Sequence, residues 1–258
     1  MGKAAIIFDF DGTLHDSLYI YRIALRRGYG WLVDTGKAPE REFSDDYIAA
    51  NIGLTAHDAW NRMCPDIPWS ITSDAAARVG RAMDELIGNG TARLFPGVTE
   101  MLQQVKDAGH TLVFLSNCRN AYRDEVRRAF EFDRWFDFYY TSEQFGGAPK
   151  EVIFETIRRE VPGPYIVVGD RDKDQALAAA HGLPFIGCLY GYAAAGELDG
   201  ADFLAEKPQD IATCIANVSL GTGPAGTSAM QVAASSDPPA DVSAGPVPSD
   251  TFFATVKE

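Results

Sequence analysis

The sequence has few cysteines, no long apolar run and no excess of positive charge, and each shortage excludes a class of protein. Its four cysteines are scattered through 258 residues without a close pair, so neither a disulfide-rich secreted domain nor a cysteine zinc site is expected. The apolar run near the start, AAIIF, is far too short for a signal sequence or a membrane span. We therefore expect a cytoplasmic protein with no membrane partner.

Acidic residues outnumber basic ones by 36 to 23, which gives a formal net charge of −13. Binding to nucleic acid needs clustered lysines and arginines that displace counterions from the phosphate backbone. We therefore expect no nucleic-acid partner. A phosphorylated small molecule bound to such an acidic chain would need local compensation by a divalent cation or by lysine.

Short apolar runs alternate with helical patterns along most of the chain. The intervening stretches repeat apolar residues at three- and four-residue spacing, as expected of helices. This alternation predicts an α/β fold with a doubly wound parallel sheet. The predicted strands are residues 4–8, 111–115, 136–140, 165–169 and 184–190.

The strand patterns are interrupted after the first strand by about eighty residues with only helical patterns. Ser44, Thr55 and Ser73 are the predicted N-caps of three of these helices, because their side-chain oxygens can accept from free backbone N–H groups. Near the other end, the chain becomes rich in proline, glycine and serine, which predicts disorder. The predicted organisation is a Rossmann-like core of residues 1–16 and 94–217, an all-helical insert of residues 17–93 and a disordered tail of residues 218–258.

Acidic clusters follow two of the predicted strands. Asp9 and Asp11 come directly after the first strand, and Asp170 and Asp174 follow the strand YIVV. Buried carboxylates repel one another, so such a grouping normally implies a cation or a shared proton. A solvated acidic turn and a favourable helix N-terminus are the simpler explanations of each cluster taken alone.

Two further positions carry groups suited to binding phosphate. Ser116 and Asn117 follow the second strand, and Lys150 precedes a helical pattern. A hydroxyl and a backbone N–H at a helix start can hold phosphate oxygens, and lysine offers a point charge to the same group. Each of these signals alone is also typical of an ordinary helix cap or a solvated lysine.

Taken in order, FDFDGTLHDS, LSN, Lys150 and GDRDKD resemble the four motifs of the haloacid dehalogenase superfamily. The resemblance covers about residues 4–216 and is to the branch with a helical cap after the first motif, such as phosphoglycolate phosphatase-like enzymes. It implies a Mg²⁺-dependent phosphatase that hydrolyses a small phosphorylated metabolite through an aspartyl phosphate. Closure of the cap would exclude water, with linkers near Asp16 and Arg93 as hinges.

The resemblance also implies a role for each matching residue. Asp9 would be the nucleophile, and Asp11 would protonate the leaving oxygen and later activate water. Ser116, Asn117 and Lys150 would hold the phosphoryl group. The remaining assignments concern Mg²⁺. Its ligands would be Asp9, Asp170 and the backbone carbonyl of Asp11, and Thr13 and Asp174 would lie in a second layer around them.

Two positions distinguish this chain from its relatives. Dehalogenases of the superfamily lack an aspartate at the position of Asp11, so a phosphatase or a phosphomutase is favoured. His15 stands where relatives usually carry an aliphatic residue, and it is predicted either to contact the substrate or to sit in a partly exposed hinge. On the insert, the candidate substrate contacts are Arg26, Arg27, Asn51, His57 and Trp60, although helical spacing alone explains the apolar member as core.

Two other functions use similar residues. A phosphomutase such as β-phosphoglucomutase shares the four motifs and the cap, and differs in returning the phosphoryl group to a sugar. A receiver-like phospho-acceptor domain also has acidic strand ends, a hydroxyl and a lysine. It would need neither the helical insert nor a second aspartate two residues after the nucleophile.

Overall fold

A six-stranded parallel sheet forms the centre of the protein and confirms the predicted doubly wound fold. The structure is a computed structural model, and it describes residues 2–218. The strand order is β3-β2-β1-β4-β5-β6, and every neighbouring pair is parallel. The strands are β1 (Ala5–Phe8), β2 (Thr111–Ser116), β3 (Phe138–Thr141), β4 (Tyr165–Gly169), β5 (Phe185–Cys188) and β6 (Phe203–Ala205).

Helices separate most consecutive strands, as the spacing of apolar residues predicts. Four helices lie between β1 and the rest of the sheet in chain order, within the predicted insert. These are α1 (Leu18–Asp34), α2 (Asp45–Ala49), α3 (Ala56–Met63) and α4 (Trp69–Gly88). The others are α5 (Val98–Asp107), α6 (Asn120–Ala129), α7 (Lys150–Glu160), α8 (Asp172–His181) and α9 (Asp210–Asn217).

The central strand β1 is buried on both faces, as its continuous apolar sequence predicts. Ile6 and Phe8 point to one face and join the apolar cluster that includes residues of α5, α6 and α9. Ala5 and Ile7 point to the opposite face and join residues of α7 and α8. Because alternate side chains of a strand point to opposite faces, helices on both sides bury this strand completely.

The four helices of the insert show where the sequence signals were correct and where they failed. Ser44 Oγ and Thr55 Oγ1 accept from the backbone N–H groups three residues later, at 3.2 Å in each case, as predicted for N-caps. The prediction for Ser73 was wrong, because α4 begins at Trp69 and Ser73 lies inside the helix. Pro68 provides the earlier start, since its fixed φ of −63° suits the residue before a helix.

The last part of the core was only partly predicted. Strand β6 and helix α9 were not predicted, although the apolar residues of α9 repeat at three- and four-residue spacing and Ile211 and Ile215 are buried against the core. The tail was predicted to begin at residue 218, but Val218 is only 5 % exposed and packs in the main apolar cluster. The rest of the predicted tail, residues 219–258, lies outside the described residues.

Within residues 2–218, none of the helices combines the length and the apolar character needed to cross a bilayer.

The chain crosses between the sheet and the insert twice, and the two crossings are bonded to each other. The backbone N–H of Asp16 donates to the carbonyl of Arg93 at 3.1 Å, and that of Phe95 donates to the carbonyl of Leu14 at 2.9 Å. The Arg93 guanidinium also lies 2.6 Å from Asp16 Oδ2. The predicted hinge segments are therefore paired side by side.

Candidate active site

The predicted site residues lie where the strand order of the sheet reverses. Strands β2 and β3 extend from one side of β1, whereas β4, β5 and β6 extend from the other. The carboxyl ends of the strands diverge at such a point and leave a crevice, where ligands of this fold class bind. Asp9 follows β1, Asp170 follows the neighbouring β4, and Ser116 ends β2 on the other side of β1.

Lys150 links two of the acidic clusters. It is the first residue of α7 and is only 3 % exposed. Its Nζ lies 2.6 Å from Asp9 Oδ1 and 2.6 Å from Asp174 Oδ1. Burial alone disfavours the ammonium, but the two carboxylates outweigh it, so the pKa of Lys150 lies above its ordinary value. The lysine therefore stays charged beneath the crevice.

Asp170 is held from two sides in a close-fitting cradle. Thr13 Oγ1 donates to its Oδ1 at 3.0 Å, and the backbone N–H of Tyr192 donates to its Oδ2 at 2.8 Å. Gly12 and Gly191 approach so closely that a Cβ at either position would overlap the Asp170 side chain. Gly12 also has φ +90°, which glycine adopts without strain. Asp170 is thus fixed with its carboxylate facing that of Asp9.

Asp9, Asp170 and Asp174 form a buried acidic group in which one carboxylate oxygen from each residue lies within 4.8 Å of the other two. Burial raises the pKa of Asp9 to about 7, and the attraction of Lys150 opposes this only in part. Burial and the charge of Asp9 raise the pKa of Asp170 well above its ordinary range. One lysine therefore does not compensate three carboxylates. Oxygen ligands of this kind fit a hard divalent cation, which would favour their ionised forms.

Asp11 is bonded to two residues that lie away from the acidic group. Its Oδ1 accepts from the Tyr122 hydroxyl at 2.8 Å and lies 2.9 Å from His15 Nδ1. His15 is fully buried and stacks on Phe10 at 4.9 Å between ring centroids. The histidine is therefore not in a partly exposed hinge, nor does it line the cavity over Asp9. Its geometry favours orienting Asp11 over contacting the substrate.

Four of the remaining predicted residues face a cavity of about 750 Å³ over the carboxyl ends of the strands. Ser116 and Asn117 line it beside Asp9, Asp11 and Lys150. The insert supplies much of the opposite wall, with Trp60 on α3 and Asn51 in the turn after α2. Three other predicted insert contacts, Arg26, Arg27 and His57, do not line this cavity.

A neighbouring thiol does not compete with Asp9 for the role of nucleophile. Cys118 also lines the cavity, and burial raises its pKa to about 12. Because the thiolate is the reactive form of cysteine, this side chain is inert at neutral pH. The carboxylate of Asp9 is therefore the better candidate.

Several residues that shape the site were not predicted. Tyr122 lies within a helix whose pattern explains it as core, and Tyr192 acts through its backbone N–H. Arg171 joins the site to the insert, because it donates to the carbonyl of Ile52 and bonds to Glu197 Oε1 at 2.8 Å. Of these three residues, only Arg171 could have been identified from the sequence, because it stands inside the GDRDKD motif.

A family model of proteins described as haloacid dehalogenase-like hydrolases matches residues 3–182 of this chain. A phosphoglycolate phosphatase of Synechococcus elongatus is 28 % identical over 220 residues, which cover 80 % of this chain and 94 % of that protein. A 5′-nucleotidase of Pseudomonas aeruginosa is 32 % identical over 110 residues. That match covers 41 % of this chain and only 50 % of the nucleotidase.

Solved structures share the fold at lower sequence identity. The crystal structure of a predicted phosphatase from Clostridium acetobutylicum matches with a TM-score of 0.70 and 19 % identity. It covers 84 % of this chain and 100 % of its own. At such identity the likeness concerns the arrangement of helices and strands alone.

Proposed function

Because this chain belongs to the family of haloacid dehalogenase-like hydrolases, we propose that it is a magnesium-dependent phosphatase of a small phosphorylated metabolite. One observation supports this most strongly. Asp9, Ser116, Lys150 and Asp170 come from four distant segments and meet at one crevice. The phosphatases among its relatives agree with the reaction class.

In the first step, a carboxylate oxygen of Asp9 attacks phosphorus and the bond from phosphorus to the ester oxygen breaks. An aspartyl phosphate forms, and the departing alkoxide takes a proton from Asp11. Because Asp11 Oδ1 accepts from Tyr122, we place the transferred proton on Oδ2. Among the described residues, none hydrogen-bonds to Oδ2.

In the second step, the ionised Asp11 removes a proton from water, which attacks the same phosphorus atom. The bond to Asp9 breaks, inorganic phosphate leaves and Asp11 is again protonated. Lys150 and the Ser116 hydroxyl bind the phosphoryl oxygens in both steps, where negative charge accumulates. Lys150 reaches this position because Asp174 holds it from the other side, 2.6 Å away.

The acidic group supplies the ligands for the proposed metal ion. Asp9 and Asp170 would bind Mg²⁺ through their carboxylates, and Asp11 through its backbone carbonyl. Thr13 would fix the orientation of Asp170 through the hydrogen bond described above. The ion would supply positive charge that makes it favourable to bring a phosphate dianion beside three carboxylates.

Release of inorganic phosphate from para-nitrophenyl phosphate tests this proposal. We expect release by the full-length protein to require Mg²⁺ and to fall by several orders of magnitude in Asp9→Asn. Asp172→Asn is the matched control, because Asp172 is an exposed aspartate close by that takes no part in the proposed site. Equal activity of Asp9→Asn and the wild type would refute the proposal. Conversion of a sugar 1-phosphate to a sugar 6-phosphate without release would instead identify a phosphomutase.

A further inference from the structure

The cavity is larger than the phosphoryl group and a very small alcohol require. Its volume of about 750 Å³ is in the range of roughly 300–1,000 Å³ typical of pockets that hold drug-sized ligands. The phosphate-binding residues occupy the end at the strand termini. A two-carbon phosphorylated acid bound there would leave the part beneath the insert unfilled.

That part of the cavity, here called the recess, is lined mainly by apolar and aromatic side chains of the insert. Ile52 and Trp60 are buried in its wall, at 6 % and 2 % exposed. Tyr21 adds a second aromatic ring, and Trp69 adds a third that is 41 % exposed. An aromatic wall of this kind binds flat rings, by stacking and by removing apolar surface from water.

The recess offers little to a second anionic group. Three arginines line the cavity, and two of them are already paired with carboxylates. Arg119 lies 2.9 Å from Asp84 Oδ1, and Arg171 lies 2.8 Å from Glu197 Oε1. Among the described residues, only Arg81 of the three has no carboxylate partner, and it is exposed to solvent. A small substrate with a second acidic group would lack a buried partner for it.

One buried polar atom behind the recess wall has no partner. Asn51 is 2 % exposed, and its Nδ2 donates to the carbonyl of Tyr47 at 2.6 Å. Its Oδ1 accepts no hydrogen bond from the described residues. This oxygen has almost no accessible surface, so it lies behind the wall of the recess and adds no polar group to it.

From these observations we infer that the substrate is a phosphomonoester whose alcohol carries a flat ring. The ring would lie in the recess against Tyr21 and Trp69, the lining aromatic side chains that are not fully buried. This inference rests on the proposed function, since the phosphoryl group must reach Asp9. It deepens that function by naming the substrate class.

Three esters test the inference on the full-length protein. Adenosine 5′-monophosphate and 1-naphthyl phosphate each carry a flat ring, and 2-phosphoglycolate carries none. We expect kcat/KM to be about tenfold or more higher for the two ring esters than for phosphoglycolate. Preference for phosphoglycolate, lost in Arg81→Ala, would overturn the inference and leave the proposed function intact.

Variants of residues around the recess test whether the ring binds there. Ala77 is exposed, lies on α4 and lines the cavity, so Ala77→Trp fills the recess without disturbing the core. We expect KM to rise about tenfold for both ring esters and to stay constant for phosphoglycolate. Asp74→Trp places the same bulk on an exposed position of α4 outside the cavity, and should change none of the three. Equal effects of the two variants would contradict the ring site.

Titration calorimetry of Asp9→Asn with adenosine 5′-monophosphate separates binding from turnover. Saturable binding weakened by Ala77→Trp supports the recess even if turnover is slow, and absence of binding overturns it. Phosphate release that does not depend on Asp9 would instead refute the proposed function.

Discussion

The two sides of the cavity are built in opposite ways. At the strand ends, the charged side chains are bonded to neighbouring side chains. Lys150 joins Asp9 to Asp174, and the Thr13 hydroxyl donates to Asp170. Beneath the insert, the walls are apolar and one buried amide oxygen has no partner among the described residues. The first side is therefore fixed before any ligand binds, whereas the second offers mainly apolar surface to a ligand. We propose that the first side carries out the chemistry and the second selects the substrate.

The strongest test of this contrast removes the charge that holds the strand ends together. Lys150→Met leaves two buried carboxylates without their cation, so we expect a loss of about 3–5 kcal/mol in the free energy of unfolding. Phosphate release should fall by about 10²–10³, because a donor to the developing charge is lost. Urea unfolding and steady-state kinetics measure the two effects.

Lys173→Met is the matched control for that variant. Lys173 also lines the cavity, but it is exposed, and within residues 2–218 its side chain bonds only to Asp172, at 3.3 Å. Its loss should change stability by less than about 1 kcal/mol. If both variants behaved alike, the strand ends would not be the rigid side of the cavity.

A smaller effect is expected on how much a metal ion stabilises the protein at different pH values. Because the pKa of Asp9 rises from 3.8 to about 7 on folding, the folded chain retains a proton that the unfolded chain releases between these values. Without metal, stability therefore falls as the pH rises through this range. A divalent cation favours the ionised form, so the increase in Tm on adding Mg²⁺ should be larger at pH 8 than at pH 5.

At saturating Mg²⁺ and pH 8 we expect an increase of roughly 5–10 °C, measured by differential scanning fluorimetry. Asp170→Asn should abolish most of the increase, because a proposed ligand is lost. The exposed Asp172→Asn should retain it. An increase of the same size at both pH values would argue against binding by the buried carboxylates.

The smallest expected effect concerns the support of Asp11. Tyr122→Phe removes one hydrogen bond to Asp11 Oδ1, so kcat should fall about tenfold while KM stays unchanged. Tyr139→Phe removes a comparable bond, to the exposed Asp133 at 2.9 Å, and should leave both constants unchanged. A change in KM alone would assign Tyr122 to substrate binding, which would blur the division between the two sides.

The sequence predicted the strand ends better than the insert, for a physical reason. Asp9, Asp170 and Lys150 lie next to strongly apolar strands or amphipathic helices, so topology alone brings them together. Ser73 was misassigned because a serine followed by Asp-Ala-Ala-Ala has the local pattern of a cap. The helix in fact begins directly after Pro68, whose fixed φ of −63° suits the residue before a helix, so the local signal that marks the true start was overlooked.

The residues around Asp11 show a second limit of sequence-based prediction. His15 was identified as unusual, but its orientation depends on Tyr122, which is more than a hundred residues away. Likewise, the recess depends on how four helices pack over the sheet. Short motifs specify which atoms react, whereas packing between distant segments decides what surrounds them.

His15 also lies where the two chain crossings meet. Its backbone forms bridges to both Asp11 and Leu94, while its side chain lies against the proposed proton donor. The attachment of the helical insert and the orientation of Asp11 thus both depend on His15, so they cannot vary independently. Engineering that transplants a different insert onto this sheet must therefore preserve the spacing from Asp11 to His15, or the graft will misalign proton transfer even when every motif is intact.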